Sequence, residues 1–240
     1  MPKIPDRYNR YSSYKKLKGI FYGIIGAALF SQGCFTKEKT EMFNNEEIKL
    51  FEVKNVSIEQ VIHKLNHQYK VPDCLETIPL IKWDDPVSIT FSLKLQNTTL
   101  HQILDALTKI DKRYFWIEKE NIINVIPEVF KNDSAYILNQ KILKFAVKNV
   151  TRNEAIATLL SLPKIEKHDL ILLPEGRLRS MDWKAPIFSL NLYNVTIREI
   201  LNAIVKSEGN TYWVCFNIIK SDGTFEHHLG FWEWESSQLN

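Results

Sequence analysis

Glycine is scarce, at 8 of 240 residues. Backbone cradles for phosphate need closely spaced glycines, and neither G-x-G-x-x-G nor G-x-x-x-x-G-K-[ST] occurs. G-x-S-x-G, H-E-x-x-H and C-x-x-C are also missing, which removes the nucleophile elbow, the helical zinc-protease motif and the paired-thiol motif. Cysteine is limited to Cys34, Cys74 and Cys215, too few for a disulfide-dense scaffold. Cys74 and Cys215 lie in different halves of the chain. They fit either one disulfide of an exported protein or two inert, partly buried thiols. The rest of the composition is ordinary. Hydrophobic residues make up 45% and charged residues 25%, the balance of a globular chain and not of a disordered or collagen-like one.

Positive charge is concentrated at the start. Met1–Lys18 holds Lys3, Arg7, Arg10, Lys15, Lys16 and Lys18 against Asp6 alone. The whole chain carries only +3, so the remainder is slightly acidic and lacks the basic footprint of a nucleic-acid binder. An uncharged run, Gly19–Phe30, follows. As a helix it spans about 18 Å, short of the roughly 30 Å of a bilayer core. Basic residues, a short apolar run and then small residues describe a bacterial export signal. Leu29-Phe30-Ser31-Gln32-Gly33-Cys34 resembles a lipobox, with Ser31 where leucine is usual, and this implies cleavage after Gly33 and lipidation of Cys34; plain secretion and an uncleaved anchor are the alternatives. The expected organisation is a leader over 1–34 and a polar tether over 35–47, ahead of the folded part.

The folded part repeats one pattern four times. Phe51–Gln60, Leu93–Gln102, Phe145–Glu154 and Leu190–Glu199 each read as an alternating apolar run, Asn-x-[Ser/Thr], then Glu or Gln three residues on. Alternation predicts a half-buried strand. Asn55, Asn97, Asn149 and Asn194 predict tight turns, because asparagine bonds its own backbone and tolerates unusual dihedrals. Ser57, Thr99, Thr151 and Thr196 predict N-caps, each closed into a capping box by residue N3. Apolar residues at helical spacing follow, as in Ile58, Val61, Ile62 and Leu65. The capping role explains the triplet and its Glu or Gln together, so the triplets are not read as glycosylation sites.

The units pair up. Asn97, Thr99, Ile103, Leu104 and Trp116 match Asn194, Thr196, Ile200, Leu201 and Trp213 without a gap, and Trp83 matches Trp183. A β-hairpin follows the second helix of each pair, turning near Lys119-Glu120-Asn121 and at Ser221-Asp222-Gly223. The expected fold class is α+β: two tandem small modules, 48–128 and 142–235, each with two strand–turn–capped-helix units plus a hairpin. The loops 72–83 and 163–183 carry no clear pattern.

Val87–Pro127, with Leu93–Leu107 followed by Tyr114–Ile126, resembles the short N-terminal domain shared by secretins and TonB-dependent receptors. Phe51–Leu65 resembles that domain's first half, and Pro186–Phe216 repeats the likeness. The resemblance implies two helices packed on short sheets, a periplasmic location and contact with other envelope proteins. No secretin core or barrel accompanies the modules, so the expectation is a free-standing adaptor or subunit.

Chemistry candidates are few. His63 and His67 have the i, i+4 spacing of a helical metal pair, but the helical wheel places them opposite the apolar face with Lys64 between them. His227 and His228 point to opposite sides of a strand. A Cys215–His228 nucleophilic pair is compatible with the hairpin but is not demanded by it. Duplicated tryptophans suit packing. Trp232 and Trp234 share one strand face and occur only in the second module, so they are the candidate partner-binding residues. The expectation is therefore a non-catalytic, lipid-anchored envelope protein that binds another envelope protein, with no catalytic residue, cofactor, metal or nucleic acid. A peptide- or glycan-binding lipoprotein using the Trp232/Trp234 face is the alternative, and an enzyme is a further one.

Overall fold

The computed structural model describes residues 46–81, 89–166, 168–173 and 185–233. Among these the fold is mixed α and β, with ten strands and four α-helices. In chain order they are β1 (Ile48–Val56), α1 (Ile58–Tyr69), β2 (Asp73–Glu76), β3 (Phe91–Thr98), α2 (Leu100–Ile110), β4 (Tyr114–Lys119) and β5 (Ile122–Pro127). Two 3-10 turns, Glu128–Phe130 and Ile137–Asn139, lead to β6 (Lys141–Val150), α3 (Arg152–Leu160), β7 (Leu170–Leu172), β8 (Phe188–Thr196), α4 (Ile197–Glu208), β9 (Thr211–Ile219) and β10 (Phe225–Glu233). The expected leader, Cys34, Trp83, Trp183 and Trp234 lie outside the described residues.

The four strand-to-helix junctions form by one local mechanism. Asn55, Asn97, Asn149 and Asn194 adopt φ of 50°, 47°, 53° and 50°, the left-handed conformation that asparagine tolerates better than most side chains. Each following hydroxyl accepts the N3 backbone N–H, and each N3 side chain accepts the N-cap N–H in return. In α4, Glu199 N–H donates to Thr196 Oγ1 at 3.2 Å and Thr196 N–H donates to Glu199 Oε2 at 2.7 Å. The Thr151 amide and hydroxyl hold the Glu154 carboxyl below its ordinary range, as expected for an anion at a helix N-terminus.

Two antiparallel ribbons carry these junctions. β1 pairs with β3 and β6 pairs with β8, and each register shifts once, between Val53 and Val56 and between Val147 and Val150. The shifts include the positive-φ asparagines, whose N–H groups donate to the partner strand: Asn55 to Ser92 Oγ at 3.1 Å and Asn149 to Ser189 Oγ at 2.9 Å.

The third sheet has six strands in the order β4-β5-β2-β9-β10-β7. Its hairpins fall where expected. Glu120 and Asn121 both have positive φ, which matches the twist of a two-residue hairpin. Gly223, at φ 81°, closes the second turn by donating to Lys220 O at 2.9 Å. β2 and β7 lie within the two stretches that carry no sequence pattern. β2 runs parallel to both β5 and β9, and β7 runs parallel to β10.

Side chains leave this sheet on two faces, and each face has its own core. Tyr114, Ile123, Val125 and Leu75 join Tyr212 and Val214 of β9 under the apolar faces of α1 and α2. Cys74, Ile122 and Ile126 join Trp213, Cys215, Leu229 and Phe231 under α3 and α4. Each core therefore contains residues from both halves of the chain. β2 and β5 are buried along their whole lengths because both faces are covered. Residues between the expected modules also pack: Phe130 stacks on Tyr136, with ring centroids 3.8 Å apart, in the second core.

The caps give a measurable expectation. Thr196→Ala or Thr99→Ala lowers stability by about 1 kcal/mol in urea titration. Asn194→Ala costs a further ~1 kcal/mol through its left-handed backbone, and Asn194→Gly costs less than Asn194→Ala.

Candidate functional site

Trp232 lies on the α1 side of β10 and is partly exposed. Its indole crosses Gly230 of the same strand, and a Cβ there would come within 2.1 Å of the ring. The glycine thus gives the indole a flat seat. Tyr212 stacks beside it and Phe216 meets it edge-on, both with centroids at 6.1 Å. His63 Nδ1 lies 2.9 Å from the Tyr212 hydroxyl, and the His67 ring is 4.3 Å from that of His63. Burial and the neighbouring His67 push the His63 pKa down, while burial pushes the Tyr212 phenol up. Tyr212 is buried beneath α1, so the part of the group that reaches the surface is Trp232 and Phe216, both half-buried, with the exposed His63 and His67 at the margin. Trp234, the other expected contact residue, lies outside the described residues, so its place beside Trp232 is not described.

A buried polar seam runs where β2 meets β9. Glu76 accepts from Arg198 Nε at 2.5 Å and Nη2 at 3.1 Å, and Arg198 Nη1 donates to Asn139 Oδ1 at 2.7 Å. Asn217 donates its side-chain amide to Thr77 O at 2.7 Å. Its Oδ1 accepts from the Tyr136 hydroxyl at 3.2 Å and lies 2.7 Å from His227 Nδ1. The groups are aimed at one another, and the seam serves to hold elements together.

The register corrects the Cys215–His228 possibility. Cys215 stands opposite Leu229, so its side chain shares the second core, whereas His228 pairs with Phe216 and points to the other face. Cys215 Sγ is 3.8 Å from Asn217 Oδ1, and burial raises its thiol pKa, so no base activates it. Cys74 and Cys215 are both free and buried. His63 and His67 are exposed on α1, and no group of three or more His, Cys, Asp or Glu able to hold a metal occurs among the described residues. Trp116 and Trp213, which match in sequence, make matching hydrogen bonds: their indole N–H groups donate to Asp105 Oδ1 at 3.0 Å and Asn202 Oδ1 at 2.9 Å.

A cleft of about 380 Å³ opens beside the seam, lined in part by Asp133, His168, Asp169, Lys220, Asp222 and His227. Its carboxylates are engaged locally: Asp169 with Lys220, Asp222 with Thr224, and Asp133 with the Ala135 amide. Two groups that sequence reasoning missed lie on the α1 side. Asp73 on β2 and Asn66 on α1 are fully buried, and their side-chain oxygens and nitrogen find no hydrogen-bond partner. Burial pushes the Asp73 carboxyl well up, which favours its protonated form.

Two titrations follow with opposite signs. Burial, with His168 and His228 nearby, lowers the His227 pKa to about 4. The unfolded imidazole takes a proton from about pH 6.5 downward and the folded one does not, so stability falls as pH drops from 6.5 towards 4. His227→Gln removes up to about 3 kcal/mol of that acid loss, read by urea titration across this range. Asp73 acts the other way. Its folded carboxyl holds its proton above the unfolded pKa, so its contribution is present in acid and is lost as pH rises through the raised value. Asp73→Asn stabilises the protein at pH 8 relative to wild type by about 1–3 kcal/mol, and the advantage shrinks towards pH 4.

Compared with known proteins, the chain matches no family model, no curated protein and no solved structure.

Proposed function

We propose that this chain is a non-catalytic protein-interaction subunit of a bacterial cell envelope, anchored by lipid at Cys34 and built from two tandem modules like the short N-terminal domain of secretins and TonB-dependent receptors. The basic leader and the lipobox-like Leu29–Cys34 favour export and anchoring. Matching junctions favour the two-module reading: the two ribbons have the same register shift, and the triplets β4-β5-β2 and β9-β10-β7 have the same pairing pattern.

The observation that carries the interaction reading is the half-buried pair Trp232 and Phe216 at the margin of the α1 layer, with Trp232 seated on Gly230 and backed by the buried Tyr212. An uncharged aromatic group at a sheet margin is what a binding surface uses, while the polar groups of the seam are spent on each other.

Site-specific photocrosslinking in cells tests this. A benzoylphenylalanine at position 232 is expected to capture one discrete protein partner, and the same probe at the exposed Lys109 on α2 is not. Cys34→Ser is expected to move the chain out of the membrane fraction and weaken capture. Equal labelling from both positions, or small peptides or glycans quenching Trp232 with no protein captured, would overturn the reading.

A further inference from the structure

The geometry points to a binding site for a guanidinium group in the cleft beside the seam, with His227 Nε2 and the carboxylates of Asp133, Asp169 and Asp222 as its acceptors and the Phe225 ring in its wall. This site is separate from the proposed interaction surface. It lies on the α3–α4 side of the sheet, whereas Trp232 lies on the α1 side.

The cleft is assembled from stretches far apart in sequence. Alternation on β10 turns Phe225 and His227 to one side of the sheet. The β9–β10 turn adds Lys220 and Asp222, and the connection between the two 3-10 turns adds Asp133. The lead into β7 adds Asp169, whose carbonyl accepts the His227 N–H at 2.8 Å. At about 380 Å³ the cleft is in the size range of small-ligand sites.

The acceptor at its base follows from the hydrogen bonds behind His227. Asn217 donates its amide nitrogen to Thr77 O at 2.7 Å, so the atom it turns to His227 is the oxygen. An amide oxygen only accepts. His227 Nδ1, 2.7 Å away, therefore carries the proton of the neutral ring. Nε2 is left as a bare lone pair. It has no hydrogen-bond partner among the described residues, although His227 is only 4% exposed and lines the cleft. A nearly buried acceptor with no donor is costly, and a ligand N–H removes that cost.

Charge selects the ligand. Three carboxylates line the cleft, and the single ammonium of Lys220 offsets one of them. Lys220 pairs with Asp169, Asp133 accepts the Ala135 N–H at 2.8 Å, and Asp222 accepts the Thr224 N–H and hydroxyl at 2.9 and 2.6 Å. Each contact uses one oxygen: Oδ1 of Asp133 and Asp222, and Oδ2 of Asp169. The second oxygens make no hydrogen bond among the described residues. Unfilled acceptors and surplus negative charge call for a cation with several N–H groups. The described residues offer no group of three or more side chains able to hold a metal, so the cation is an organic one. A guanidinium fits better than an ammonium. Its donors fan out in one plane towards several acceptors, and its flat face lies on an aromatic ring. Phe225 supplies the ring: it is half-buried, with its centroid 6.1 Å from that of His227.

Such a group belongs either to a free small molecule or to an arginine side chain of a protein. Agmatine, a free alkyl guanidine, and Nα-acetylarginine N-methylamide, an arginine side chain in a peptide setting, are titrated into the full-length chain in detergent at neutral pH and low salt. Calorimetry reads affinity. The imidazole nitrogen signals of chain labelled at histidine read the site, with that of His227 assigned by its loss in His227→Gln. At least one probe is expected to bind and to shift the His227 Nε2 signal. Tighter binding of agmatine assigns a free ligand, and tighter binding of the arginine derivative assigns a protein side chain. Cadaverine, an alkyl diamine of similar length, is expected to bind about ten-fold more weakly. Asp169→Asn with Asp222→Asn, both at exposed positions, is expected to weaken binding about ten-fold with little change in stability. No binding of either probe, a His227 signal that does not move, cadaverine equal to the guanidines, or a double variant that binds like wild type overturns the proposal. Crosslinking from position 232 does not enter this test, so each reading fails on its own.

Discussion

The parallel pairing of β2 with β9 is the constraint on which the rest of the molecule depends, and the Glu76–Arg198 pair secures it. Glu76 sits on a four-residue strand from the first half, and Arg198 sits on the first turn of a helix from the second. A carboxylate with no exposed surface is tolerated only beside a well-oriented cation, and the bidentate guanidinium with its third bond to Asn139 supplies one. Loss of either partner leaves a buried charge, at a cost of about 3–5 kcal/mol. The pair is a device of position more than of net stability: it fixes which strand lies beside β9 and in which register.

The parts legible in the sequence are those decided within about ten residues. The four asparagine turns, the four capping boxes and both hairpins are local, and each places its own hydrogen-bond partners nearby. β2 and β7 were not legible. They have four and three residues, and Asp73 and Glu76 break any apolar pattern in β2 because its polar groups are answered, or left unanswered, by residues far along the chain. β5 and β9 read as strands, but their near-continuous apolar runs conceal that the two faces belong to different cores. Of the candidate contact residues, the sequence placed Trp232 on the correct strand. It could not foresee the seat provided by Gly230 or the company of Tyr212, since strand neighbours depend on register.

Chemistry and surface divide the molecule unevenly. Two of the titratable groups that look reactive in sequence are turned inward: His227 is kept neutral by burial, and Cys215 is kept protonated by burial beside an amide oxygen. Trp232 and Phe216 stay half-exposed instead. On the reading proposed here, that distribution belongs to a protein whose work is recognition, with its polar residues engaged in holding two halves in one sheet.

The mixed ownership of the two cores has a consequence for biogenesis. Tyr212 and Val214 complete the first core, although its other strands and helices precede residue 128. A chain emerging in order from a ribosome or a translocation channel must therefore keep the first core's apolar surface uncovered until the strand near residue 214 arrives. Such long-range closure slows folding and lengthens exposure to holding factors and proteases. On the proposal that the chain is exported, late completion keeps it threadable until it reaches its compartment.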